Sequence, residues 1–97
     1  MTVKLMVLYT QPEDPAAFDQ HYFGTHMPLV HAMPGLQRAE TGKFGTRTPY
    51  YRTAALYFAD RDALNAALGS PEGAAADADY QQIAPQGSQI LIETLDE

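Results

Sequence analysis

Three histidines, His21, His26 and His31, stand at five-residue intervals in a chain that has no cysteine. An α-helix turns about 100° per residue, so each faces about 140° away from the last, and a regular helix cannot gather them on one metal ion. No carboxylates at matching spacing complete such a set, and no metal is expected. His26 keeps different company. Phe18, Tyr22, Thr25, His26 and Leu29 recur at three- and four-residue spacing and share one helix face. Imidazole has an ordinary pKa of about 6.5, so a histidine on an apolar face can take or give a proton at neutral pH with little driving force lost. General acid–base chemistry at His26 is the expectation. The competing role is a hydrogen bond to a backbone carbonyl freed by Pro28.

The chain has six tyrosines and no tryptophan. Buried phenols need partners and supply weakly acidic donors suited to a substrate carbonyl or phenol. Tyr9 closes the first apolar segment and Tyr22 lies one turn before His26, so these two join His26 as the expected catalytic residues. Phe18, Leu29, Tyr51 and Tyr57 are the expected substrate-binding walls, with Tyr51 and Tyr57 on one face of a strand. Amphipathic filling of strand ends and an interface is the alternative for all these rings. Arg52, inside an apolar strand, is expected to pair with Glu40 or Glu93 on a neighbouring strand. Asp77 and Asp79 are two apart, off any common helical face, and are expected on a solvated helix surface.

The elements that must hold these side chains follow from pattern and punctuation. Residues 3–9 are apolar and partly β-branched and end in a proline-rich breaker, which marks a strand. Asp14 before Pro15 is a helix cap with proline where its missing N–H costs nothing. Pro28 crowds the carbonyl of Gly24, so a kink is expected near His26 and Met27, and Pro34-Gly35 ends the element. Residues 36–43 and 50–58 make a hairpin. Asp60 caps a second helix that stops at Gly69, Ser70-Pro71 caps a third over residues 72–83, and Tyr80 projects from a different side than Ala75, Asp79 and Ile83. Residues 89–95 form a closing strand, expected to be central because it is apolar on both faces. The order is β-α-β-β-α-β, a ferredoxin-like α+β fold with a four-stranded antiparallel sheet and helices on one face. The whole chain, residues 1–97, reads as one domain. A bare sheet face is expected to be buried against a second copy of the chain.

Composition narrows the partners. Six basic against twelve acidic residues give a net charge of −6, which disfavours nucleic acid and anionic membrane surfaces. No apolar run approaches the roughly 18–20 residues of a membrane helix, no leader is visible, and a cytoplasmic location is the expectation. No Gly-x-Gly-x-x-Gly, Walker-type loop or Gly-x-Ser-x-Gly elbow is present, so nucleotide cofactors and serine hydrolysis lack support. RNA-recognition modules share the element order but need a basic, aromatic sheet.

The residues Lys4 to Tyr9, Phe18, His21-Tyr22, Thr25-His26-Met27-Pro28-Leu29-Val30 and Pro34-Gly35-Leu36, with Ser70-Pro71-Glu72-Gly73, Ala76-Asp77 and Tyr80 later, resemble the EthD family, named for ethyl tert-butyl ether degradation, within the dimeric α+β barrels. The resemblance implies a ferredoxin-like protomer, a homodimer and a pocket between sheet and helices. It leaves chemistry open, because relatives in the superfamily include cofactor-free monooxygenases, cyclases, isomerases and haem-dependent enzymes. Two readings stand: a cofactor-free enzyme acting on a hydrophobic or aromatic small molecule through His26, or a non-catalytic metabolite-binding or accessory protein. Haem ligated by His26 is a variant of either.

Overall fold

A computed structural model describes all residues from Met1 to Glu97. β1 (Val3–Thr10) leads to α1 (Pro15–His21), a π-helical turn (Tyr22–His26) and α2 (Met27–His31). β2 (Arg38–Lys43), β3 (Tyr50–Phe58), α3 (Arg61–Leu68), α4 (Pro71–Ile83) and β4 (Gln89–Thr94) follow. The expected caps form: Asp14 accepts from the Ala17 N–H at 3.1 Å, Asp60 from Ala63 at 2.8 Å and Ser70 from Gly73 at 3.0 Å. The strands lie in the order β2-β3-β1-β4, all antiparallel. This is the ferredoxin-like architecture expected from the element order.

Alternation on the central strands decides which face carries the core. Val3, Leu5, Val7 and Tyr9 of β1 are buried, and the register sets Val3 against Phe58, Leu5 against Leu56 and Val7 against Ala54. These side chains meet the helices, and Lys4, Met6 and Leu8 project from the opposite, uncovered face. α3 turns sharply into α4 at Gly73, where a Cβ would stand 2.1 Å from the Ala67 carbonyl oxygen, so only glycine permits this approach.

Four sequence expectations change here. β4 is an edge strand, not a central one: Ile90, Leu91 and Ile92 are all exposed, although their apolarity on both faces mimics a strand covered on both sides. Tyr51 and Tyr57 do not share a face. Tyr9 pairs with Arg52 and Thr10 with Tyr50, which leaves Tyr51 as the extra residue of a bulge. The bulge turns Tyr51 and Arg52 both inward, whereas Tyr57 stays on the uncovered face, donating to Glu40 at 2.7 Å beneath the Arg38 guanidinium. Arg52 pairs with Asp19 of α1 at 3.3 Å, because Glu40 and Glu93 belong to the other face with Tyr57 and Lys4. Tyr80 belongs to the inward side of α4, packed against the core with Ile83.

Candidate functional site

Pro28 has no N–H to give the Gly24 carbonyl, and the helix widens just before it. The Met27 N–H bonds back to the Tyr22 carbonyl, an i→i+5 step, so the expected kink is a π-helical turn. Residues five apart, which an α-helix would splay, are thereby brought toward one side. His21 and His26 meet on a single carboxylate. His26 Nδ1 lies 2.8 Å from Asp79 Oδ2, and His21 Nε2 lies 2.8 Å from Oδ1 and 3.1 Å from Oδ2. Asp79 is therefore not on a solvated helix surface: its side chain is 10% exposed and fixes two imidazoles. His31 is exposed at the end of α2, and no set of three metal-ligating side chains forms.

A carboxylate only accepts, so the His26 ring carries its proton on Nδ1 and donates it to Asp79. In the neutral ring the other nitrogen, Nε2, carries the lone pair, and the Tyr9 hydroxyl lies 3.4 Å from it. The His26 side chain is 6% exposed and that of His21 39%, so the inner imidazole is screened from water and the outer one meets it. Burial opposes the Asp79 charge, but hydrogen bonds from His21 and His26, reinforced by their charge, outweigh it and hold the carboxyl below its ordinary range. Burial, aided by Tyr22, Tyr80 and Asp79, pushes the Tyr9 phenol far up. Burial also pushes Tyr22 up to about 12 against the pull of Arg52. Both phenols stay neutral at physiological pH.

His26 opens onto a cleft between the sheet and α2 and α4, with a volume of about 70 Å³. Leu5, Val7, Val30, Met33 and Leu56 wall it, with Tyr80 and the exposed Asp77 from α4. Of the residues expected from sequence, His26 alone lines this cleft. Tyr9 and Tyr22 are fully buried beside it. Tyr22 stacks on the His26 ring at 5.6 Å and on Phe18 at 5.7 Å, and Phe18 meets Tyr51 edge-on at 5.9 Å. Tyr51 donates to Asp19 at 2.7 Å, so this aromatic stack backs the imidazole and does not wall the cleft. Leu29 packs against the core from outside, and Tyr57 lies across the sheet. Asp79, Asp77 and Tyr80 are the residues missed, and the signal for Asp79 lay in the five-residue histidine spacing read with Pro28.

Haem does not fit this arrangement. The cavity is far below the roughly 300–1,000 Å³ that enclose even a drug-sized ligand.

The EthD domain model matches residues 10–85. The chain belongs to the EthD family. An uncharacterised 11.0 kDa protein from the thcB-thcC intergenic region of Rhodococcus erythropolis is 38% identical over 93 residues, covering 92% of this chain and 90% of its own. An EthD family protein of Bacillus halodurans superposes with a TM-score of 0.93 at 35% identity, over 99% of this chain and 100% of the other. Two more distant structures share the fold alone. SnoaB, a cofactor-independent oxygenase from Streptomyces nogalater, gives a TM-score of 0.74 at 19% identity, over 99% and 94% of the chains. A dimeric ferredoxin-like protein of unknown function from Thermobifida fusca gives 0.78 at 15%, over 98% and 92%. No helix of this EthD protein is long and apolar enough to cross a membrane.

Proposed function

We propose that this EthD protein forms a homodimer whose cleft binds a small hydrophobic molecule, and that His26 moves a proton on it without a cofactor. The observation that carries the reading is the 2.8 Å bond from His26 Nδ1 to Asp79, which in the neutral ring leaves the lone pair on Nε2, beside the Tyr9 hydroxyl, of a side chain that lines an apolar cleft. Nε2 would take a proton from an activated C–H or O–H of the ligand, and the electron pair of the broken bond would pass to a carbonyl or phenol oxygen. Asp79 then faces an imidazolium, which its charge stabilises. Return of the proton at another atom gives an isomerisation; if the carbanion instead bonds to a second carbonyl carbon of the ligand, the π pair of that carbonyl passes to its oxygen, the proton returns there, and the product is cyclic. The cofactor-independent oxygenase neighbour supports a place for cofactor-free chemistry on this fold, and the dimeric neighbour supports the paired state. The exposed Leu91, paired with Met6 on the uncovered face of the sheet, supplies apolar surface for a second copy. Tyr9 and Tyr22, expected as catalytic, serve here as positioning residues that hold the ring, with Phe18 and Tyr51 behind them.

Deuterium exchange at the activated carbon of ethyl acetoacetate, followed by NMR, tests the reading. Exchange above the buffer rate is expected from the wild type and a loss of about 10²-fold or more from His26→Ala with the fold intact. Equal exchange by the two proteins refutes the role. Stabilisation of the dimer by a ligand without exchange would favour the metabolite-binding alternative instead.

A further inference from the structure

The cleft wall bears on which molecules can enter. No lysine or arginine lines it, and its titratable side chains are His26, Asp77 and Tyr80. Lys4 is held by Glu93 at 3.0 Å on the far face of the sheet, and Arg52 by Asp19 behind the aromatic stack. A ligand carboxylate would surrender its hydration to apolar walls with no cation to receive it and with Asp77 beside it. A neutral oxygen fares better, because Tyr80 is the one tyrosine on the wall. The hydroxyls of Tyr9, Tyr51 and Tyr57 are committed to His26, Asp19 and Glu40, and that of Tyr22 is sealed in the core without a partner. Tyr80 follows Asp79 in α4, so the helix turn that orients the imidazole also carries the phenol.

Building on the proton chemistry proposed for His26, we propose that the cleft selects small uncharged carbonyl compounds, with the Tyr80 hydroxyl donating to the ligand oxygen and Asp77 turning carboxylates away. Burial, and secondarily Asp77, push the Tyr80 phenol up, which keeps it a donor. His26 and Tyr80 both line the cleft, and Tyr9 packs behind them, its ring 5.8 Å from that of Tyr80 and its hydroxyl beside His26 Nε2.

Acetylacetone and acetoacetate, alike in size but differing in a methyl against a carboxylate oxygen, make the test. Each is titrated into the full chain at pH 7 and followed by backbone NMR. Wild-type protein should bind acetylacetone at least about tenfold more tightly. Asp77→Asn should narrow that ratio about threefold, the modest effect of an exposed charge. Tyr80→Phe should weaken acetylacetone binding about three- to tenfold, the loss of one hydrogen bond. Equal affinities for the two probes, a ratio unmoved by Asp77→Asn, or no acetylacetone binding at millimolar concentration overturns the proposal. Full selectivity in a protein that fails the ethyl acetoacetate exchange test sinks the His26 chemistry and leaves the selectivity standing.

Discussion

Asp79→Asn is the perturbation that reaches furthest into the site. The carboxylate accepts from His26 and His21, and the amide that replaces it has one accepting oxygen and a donor in place of the other. The His21 bond counts for little, because that ring is 39% exposed and water replaces the contact. The His26 bond counts for more, because a side chain 6% exposed has no water at hand. Leaving its Nδ1–H without an anionic acceptor costs about 2 kcal/mol, and in a domain of this size that lowers Tm by roughly 8–16 °C. The electronic effect is separate. Without the anion, the preference for a proton on Nδ1 fades and Nε2 takes it instead, which removes the free lone pair. Ring-nitrogen NMR reads that change directly: the wild-type His26 should show a protonated Nδ1, and the variant a shift toward protonated Nε2. A variant with unchanged Tm and an unchanged His26 tautomer would refute the reasoning.

Other perturbations address other parts of the molecule. The Asp79 carboxyl titrates below its unfolded value of 3.8, so unfolded chains bind protons first as pH falls. Its contribution to stability is complete above about pH 5 and is lost as pH drops through the folded value, and urea midpoints from pH 6 to pH 3 should fall less steeply in Asp79→Asn than in wild type. Gly73→Ala drives a Cβ against the Ala67 carbonyl oxygen and should cost about 1–3 kcal/mol by chemical denaturation; a neutral result would mean the α3–α4 corner yields freely. Leu91→Arg places a charge on exposed edge-strand surface and should give a folded monomer in sedimentation, whereas an intact dimer would place the interface elsewhere.

Much of the fold was legible because local signals agreed with one another. Asp14-Pro15, Asp60 and Ser70-Pro71 each open a helix where the structure has one, and the apolar runs of β1 and β3 lie at the centre of the sheet. The closing strand misled because apolarity on both faces reads alike for a strand covered by neighbours and for one at an edge. Tyr51 misled because a strict two-residue alternation cannot anticipate a bulge. At the site, His26 was legible from its helix face. Asp79 was not, because the α-helical angle of about 140° between residues five apart sets His21 and His26 on different sides, and only an i→i+5 turn reunites them. Arg52 was placed with the wrong acids for a related reason, since facing depends on the same bulge.

The widened turn at Tyr22–His26 amounts to one residue more than a regular helix would use. Deleting Gly24, which has nothing within 4 Å of where a Cβ would stand, would let the segment tighten to ordinary helical winding. Such a shortened protein would have a more regular backbone there and would still present both imidazoles to Asp79, because residues four apart share one face of an ordinary α-helix. The wide turn is therefore the means by which a chain with one extra residue between its two histidines keeps both on a single carboxylate, as a chain lacking that residue would do with an unbroken helix.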